Sequence, residues 1–250
     1  MARSRLRSAI ARRRSPDSRA VTREAERAAG PVERIDAPEK LSARVVEPGE
    51  SPRILGYAAF DDLAPNYSFA EIVLLSLGGT LPEPHVGRAF EIALAFAAPV
   101  SAAEAPANAA GLARLCGAPP KNVVAVGAVV LAEHAGQRID ALRDLLRWLE
   151  DQTTAFPATA SAPHAPSIEM LRRALPPPFS ALAVFQHSPS LDAALVAVLF
   201  ACGLRRPDRL VAALPLAGLG CTWAEAFAVK ALNLRGYPMD VPPFEYMEEK

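Results

Sequence analysis

The chain has 250 residues, of which 51% are hydrophobic and 22% are charged, and its formal net charge is zero. This composition excludes a disordered chain and predicts a globular protein with a substantial core. No apolar run reaches the ~18 residues that a membrane helix needs, so we expect a soluble protein without a membrane partner. Aromatic residues make up only 6%, and Ala and Leu dominate over β-branched residues, which predicts an almost all-α fold.

Positive charge is concentrated at the start of the chain. Residues 1–27 contain nine Arg against Asp17, Glu24 and Glu26. Such a segment can contact nucleic acid or anionic lipid, or act as an organelle transit peptide. No basic patch continues into the body of the chain, so a solvated tail is favoured over a nucleic-acid partner. We therefore predict that residues 1–49 form a basic, largely disordered arm.

The first helix with clear signals at both ends runs from Ser68 to Leu77, after an ordered start at 53–57. The Ser68 hydroxyl can accept a hydrogen bond from the first turn, and Glu71 three residues later can reciprocate, which is the pattern of a capping box. Gly78 and Gly79 then end the helix.

Three further helices are predicted by apolar spacing and by prolines, which suit a first helical turn. They run from about Pro84 to Ala97, from Ala105 to Cys116 and from Pro119 to Ala132. A separate amphipathic stripe extends from Ile139 to Leu149. Arg138, Arg143, Arg147 and Glu150 oppose that stripe, so their face is predicted to be solvated.

The second half of the chain is divided by proline-rich breaks at 153–166 and 176–178. A short helix, Ser167 to Leu175, is predicted between them. The uniformly apolar stretch from Leu191 to Cys202 predicts a helix buried on every side. Another helix is expected from Pro207 to about Leu216. Thr222 to Glu225 has the pattern of a second capping box, which predicts a separate terminal helix ending at Gly236.

The cysteines and histidines indicate neither disulfides nor a metal. Cys116, Cys202 and Cys221 are odd in number and far apart, which is typical of reduced thiols in the cytoplasm. The four histidines have no i, i+4 relation, so no metal site is predicted. Phosphate loops, the dinucleotide fingerprint, zinc-protease motifs and the hydrolase nucleophile elbow are also absent from the sequence.

Several segments, taken in order, resemble the citrate synthase family, and the short chain looks most like its citryl-CoA lyase branch. The resemblance extends over roughly residues 50 to 247 and is most specific at the beginning, where 54–82 resembles the family's "RGY…eLa…SFeE…LL.G.LP". The other matching segments are Asn108 to Arg114 ("naSTfaaR"), His134 to Gly136 ("HGG"), Pro189 to Asp192 ("PNVD"), Leu216 to Ala224 ("aR..G..AH") and the closing arm from Gly236 to Tyr246.

The resemblance implies a Claisen-type reaction, or its reverse, between a CoA thioester and a keto acid. By motif, Asp192 would remove a proton from the thioester methyl group, and His134 would donate a hydrogen bond to the enol oxygen. His164 is the residue that could substitute for a substrate-binding histidine of the family. The CoA thioester would be a substrate, and no bound cofactor is implied.

The sequence departs from the family at three positions where cationic side chains hold the keto acid. Glu104 stands where the family has a histidine, and Ala217 and Ala224 stand where it has an arginine and a histidine. A dicarboxylate would therefore have few charge-assisted hydrogen bonds. An alternative hypothesis is a catalytically silent homologue that serves as a dimerising or regulatory partner of an active enzyme.

The family's architecture implies a mainly α fold with an inserted domain. By resemblance we expect a large helical domain over 50–137 and 206–250, and a small helical domain over 138–205. A homodimer is also implied, with the apolar helices around 89–132 as the shared surface.

Overall fold

A small sheet and eight helices of eight or more residues make up the part of the chain that the structure, a computed structural model, describes: residues 44–152, 154–163 and 165–230. The helices are α1 (Phe69–Gly78), α2 (Pro84–Ala97), α3 (Ala105–Leu115), α4 (Pro120–Ala141), α5 (Arg143–Glu150), α6 (Pro166–Ala174), α7 (Leu191–Ala201) and α8 (Pro207–Ala228). The prediction of an almost all-α protein is confirmed.

The sheet has three short antiparallel strands, β1 (Val46–Glu47), β2 (Arg53–Ile54) and β3 (Tyr57–Ala58), in the order β1-β2-β3. Val46 pairs with Ile54, and Ile54 pairs with Tyr57. β1 falls within the predicted disordered arm of residues 1–49, where pairing with β2 orders it. Residues 1–43 of that arm lie outside the described residues.

The predicted capping box of the first helix is present in α1. The Ser68 hydroxyl accepts a hydrogen bond from the Glu71 amide at 3.2 Å, and the Glu71 carboxylate accepts one from the Ser68 amide at 2.8 Å. Gly79 then ends the helix in the left-handed conformation, with φ of 90°. Two short helical segments, Ala59–Leu63 and Ala64–Asn66, lead from β3 toward α1.

The predicted end of a helix at about Ala132 is wrong, because α4 continues to Ala141 as a single helix. Its buried residues recur every four positions, at Val123, Gly127, Leu131, Ala135 and Ile139. This spacing gives one uninterrupted stripe that packs against neighbouring helices along the whole length. Packing therefore holds together what the sequence pattern divides into two elements.

The separate helix predicted to begin at Thr222 is also wrong, since α8 runs unbroken from Pro207 to Ala228 with Pro215 inside it. Thr222 is fully buried. The neighbouring Trp223 donates a hydrogen bond from Nε1 to the Val124 carbonyl in α4, at 3.2 Å. Tertiary packing of α8 on α4 thus outweighs the local capping signal. The predicted stop at Gly236 lies outside the described residues.

The core is centred on α7, as the uniform apolarity of its sequence predicts. Every residue from Ala193 to Phe200 is buried. α7 packs against α2, α5 and α6, while α3, α4 and α8 pack closely on one another. α8 is long and apolar enough to cross a membrane by length and composition alone. Core helices of soluble proteins share this composition, and α8 contacts five other helices.

The predicted boundary between a large and a small domain, at residues 137 and 138, falls inside α4. The helix crosses this boundary without a break. The division into 50–137 with 206–250, and 138–205, stays a prediction.

Candidate functional site

A cleft opens where α4, α8 and the loop between α2 and α3 meet. Most of the residues that line it are apolar, and its charged or titratable side chains are Glu104, His134 and Arg138. The other lining residues are Ala97, Pro99, Val100, Pro106, Leu131, Ala135, Leu214, Pro215 and Gly218.

The floor of the cleft depends on a glycine in α8. A Cβ atom at Gly218 would lie 2.8 Å from Val100 Cγ2 and 3.0 Å from Leu131 Cδ2. These distances are shorter than van der Waals contacts between carbon atoms. Gly218 therefore allows α8 to approach α4 closely enough to close the bottom of the cleft.

His134 and Arg138 lie one turn apart on α4, so both side chains face the same cleft. The predicted solvated face is correct for Arg143 and Arg147, whose side chains are 69% and 79% exposed. Arg138 is less exposed than these, at 35%, because one side of its side chain lines the cleft. The i, i+4 spacing from His134 is the sequence signal that could have identified Arg138.

Arg138 also connects the cleft to Asp192. Its Nη1 atom lies 3.6 Å from Asp192 Oδ1, so the two side chains form an ion pair between α4 and α7. The distance exceeds that of a direct hydrogen bond. The structure therefore brings His134, Arg138 and Asp192 to one side of the molecule. Two helices, α5 and α6, lie between α4 and α7 in the sequence.

Asp192 lies in the first turn of α7, and another residue caps that helix. The Ser190 hydroxyl accepts a hydrogen bond from the Ala193 amide at 3.1 Å. The Ser190 amide in turn donates to the Ala160 carbonyl at 2.8 Å, which fixes the start of α7 against the preceding loop. Because Ser190 supplies the cap, the Asp192 carboxylate is left to face Arg138.

Glu104 is the residue immediately before α3 and lies at the cleft wall. Its Oε1 atom accepts a hydrogen bond from the Ser101 amide at 2.8 Å, which fixes the carboxylate in place. The anionic side chain at this family position therefore lies in the same cleft as His134.

Two of the other residues singled out in the sequence are not brought to the cleft. Ala217 and Ala224 belong to α8 and do not line it. His164 lies outside the described residues. Across the ranges that the structure describes, no group of three His, Cys, Asp or Glu side chains is arranged to hold a metal ion.

The cleft has a volume of about 30 Å³, which is room for roughly two water molecules. Arg138 and Glu104 carry partly exposed side chains at its border. A larger ligand therefore requires these side chains to rotate outward. Chemically, the cleft offers an imidazole, a guanidinium and the Glu104 carboxylate, and the Asp192 carboxylate lies next to the guanidinium.

Neither a scan of protein-family models nor a search of curated proteins found a match. Solved structures are similar to this chain over most of its length. Citryl-CoA lyase from Hydrogenobacter thermophilus aligns with a TM-score of 0.62 at 16% identity, covering 84% of this chain and 96% of that one.

Two ATP citrate lyase structures are similar as well. A mutant of the Methanosaeta concilii enzyme in complex with (3S)-citryl-CoA aligns with a TM-score of 0.58 at 14% identity, covering 94% of this chain and 45% of that one. The Methanothrix soehngenii enzyme in complex with citrate and coenzyme A gives 0.54 at 11% identity, covering 98% and 46%. The chain thus spans less than half the length of these two proteins. Its fold is that of citryl-CoA lyase, as the sequence resemblance predicts.

Proposed function

We propose that this protein acts on a small CoA thioester and forms or cleaves a carbon–carbon bond between its acyl group and a keto acid. The single observation that carries the proposal is that His134 and Arg138 line one cleft and that Arg138 forms an ion pair with Asp192. The fold similarity supports it, because the similar structures include complexes with citryl-CoA and with citrate and coenzyme A.

The first chemical step would be enolisation of the thioester. Asp192 would accept a proton from the methyl carbon next to the thioester carbonyl, the electron pair of that C–H bond would form a carbon–carbon double bond, and the π pair of the carbonyl would move onto its oxygen. His134 would donate a hydrogen bond to this oxygen and stabilise the charge that develops there. The resulting enolate carbon would then attack the carbonyl carbon of the keto acid.

Enolisation can be measured by itself, as exchange of the methyl protons of acetyl-CoA with deuterated solvent. Wild-type protein should catalyse this exchange without a keto acid, because only the base and the enol-stabilising group are needed. Asp192→Asn should abolish exchange, and His134→Ala should slow it by about 10²- to 10³-fold, as for loss of one oxyanion donor. NMR of the acetyl methyl signal measures the rate.

Asp140→Asn is the matched control, since Asp140 carries an exposed carboxylate near the end of α4 that pairs with Arg143. This variant should exchange at the wild-type rate. Absence of exchange with any small acyl-CoA, together with absence of acyl-CoA binding in calorimetry, would rule out the enzymatic function. Exchange that persists in Asp192→Asn would assign the base to another residue.

A catalytically silent homologue is the second candidate, and the narrow cleft favours it. A volume of about 30 Å³ leaves little enclosed space for a keto acid. In this hypothesis the protein binds an active enzyme as a dimerising or regulatory partner. Co-purification with an active relative that keeps cationic side chains at the positions of Glu104, Ala217 and Ala224 would support it.

We further propose that the protein is a cytoplasmic homodimer. Its cysteines are free thiols, which supports a reducing compartment. The closely packed helices α3, α4 and α8 each expose a large apolar side chain: Leu112 (54% exposed), Val129 (68%) and Phe227 (40%). A second copy of the chain could cover such residues in a symmetric interface.

A further inference from the structure

We infer that the cleft accepts a keto acid with a single carboxylate, held by Arg138, and that Glu104 excludes a second carboxylate. This inference rests on the proposed function and specifies the substrate class of the same site. It depends on the charges that line the cleft and on how each of them is fixed.

Arg138 is the one cationic side chain among the described residues that line the cleft. Its contact with Asp192, at 3.6 Å, is an ion pair longer than a hydrogen bond. A guanidinium has five N–H donors, and it binds a carboxylate best through two of them at once. Arg138 therefore has the donors needed to bind one ligand carboxylate while it stays next to Asp192.

Glu104 opposes any further negative charge. Its carboxylate accepts a hydrogen bond from the Ser101 amide at 2.8 Å, which favours its position at the cleft wall over rotation away from an anion. Together with Asp192 it places two carboxylates around the single guanidinium of Arg138. A ligand with one carboxylate can be matched by Arg138, whereas a second carboxylate finds no further guanidinium or ammonium group among the described lining residues and is repelled by Glu104.

The size of the cleft also favours a ligand with one carboxylate. With about 30 Å³ available before any side chain moves, a compact monocarboxylate needs less rearrangement than a longer dicarboxylate. The apolar surroundings, Val100, Leu131 and Leu214, suit the short aliphatic part of such a ligand.

Ligand-observed NMR titration tests this without acyl-CoA, using pyruvate as the monocarboxylate and 2-oxoglutarate as the dicarboxylate. Wild-type protein should bind pyruvate more tightly. Arg138→Gln should weaken pyruvate binding by about tenfold or more, as expected for loss of a charge-assisted hydrogen-bond donor. Arg143→Gln is the matched control, because Arg143 is exposed and lies outside the cleft. It should leave both affinities unchanged.

Glu104→Gln tests the exclusion of the second carboxylate. Glutamine keeps an oxygen that accepts from the Ser101 amide but removes the charge. The variant should bind 2-oxoglutarate roughly twofold to fivefold more tightly, with little change for pyruvate. The inference is overturned if wild-type protein binds neither acid, if it prefers 2-oxoglutarate, or if Arg138→Gln behaves like Arg143→Gln.

The two proposals fail separately. Binding of pyruvate through Arg138, with neither proton exchange nor binding of any small acyl-CoA, would leave this inference standing and contradict the enzymatic function. Exchange of acetyl-CoA protons without selective binding of pyruvate would support the enzymatic function and contradict this inference.

Discussion

Cys202 lies in the core at the end of α7, where burial raises the pKa of its thiol to about 12. The side chain is 7% exposed, and its sulfur lies 3.7 Å from the Val86 carbonyl oxygen, to which the S–H group donates. A thiolate would lose this donor and would be placed in apolar surroundings. The folded protein therefore keeps the Cys202 thiol protonated at pH values where an unfolded chain ionises it.

This pKa difference predicts a loss of stability in alkali. Between pH 9, the ordinary pKa of the group, and pH 12 the unfolded chain has released the Cys202 proton while the folded protein retains it. The free energy of unfolding should fall as pH rises through this range, by at most about 1.4 kcal/mol per pH unit. Urea unfolding at several pH values measures this slope.

Two variants separate Cys202 from other groups that titrate in alkali. Cys202→Ala should show a shallower fall of stability above pH 9 than the wild type. Cys116→Ala removes an exposed thiol and should keep the wild-type slope. Equal slopes for all three proteins would contradict a raised thiol pKa at Cys202.

Among the helices, α4 and α8 approach each other through a glycine. A Cβ atom at Gly127 would lie 2.8 Å from Thr222 Cγ2 and 3.4 Å from Ala110 Cβ. Thr222 is β-branched and fully buried, so it has little freedom to rotate away. The close packing of α3, α4 and α8 therefore depends on the absence of a side chain at Gly127.

Gly127→Ala should lower the free energy of unfolding. Overpacking costs about 1–3 kcal/mol, and the better helix propensity of alanine returns roughly 0.5–1 kcal/mol, so a net loss is expected. Gly136→Ala is the control on the same helix, because nothing lies within 4 Å of a Cβ atom there. It should stabilise the protein by about 0.5–1 kcal/mol. Stabilisation by both variants would show that the α4–α8 contact is loose.

The capping-box pattern occurs in both α1 and α8, but it marks the start of a helix only in α1. Ser68 and Thr222 are each followed by glutamate three residues later. Ser68 is solvent-accessible at the start of a helix and caps it, whereas Thr222 is buried against α4 in the middle of one. Capping signals and apolar periodicity are local and predicted most helix positions. Contacts between distant helices decided where α4 and α8 end.

In the candidate site, too, the sequence predicts what lies within one helix but not how two helices pack together. The spacing of His134 and Arg138 on one helix is visible in the sequence, as is the position of Asp192 at the start of an apolar helix. Their approach to one another depends on how α4 and α7 pack, which no local pattern encodes. For this reason the sequence pattern places Arg138 on the solvated face of the helix and does not predict its contact with Asp192.

At the scale of the whole molecule, the proposed homodimer predicts that a charge on α4 will separate the subunits. Val129→Glu should convert the protein to a monomer at micromolar concentration, because a carboxylate in an apolar interface is costly to desolvate. Met170→Glu is the control, since Met170 is a similarly exposed apolar residue on α6. Multi-angle light scattering measures both; a wild-type monomer, or a dimer that survives Val129→Glu, would contradict this interface.

The central claim is that His134 and Asp192 act together at one site on a CoA thioester. The most direct measurement is the exchange rate of acetyl-CoA methyl protons in the double variant His134→Ala/Asp192→Asn beside both single variants. Residues that act as a unit have non-additive effects. We therefore expect the double variant and Asp192→Asn alone to exchange at the same rate. That rate should equal the rate measured without protein. Exchange above that rate in the double variant, or a wild-type protein that does not exceed it, would contradict the claim.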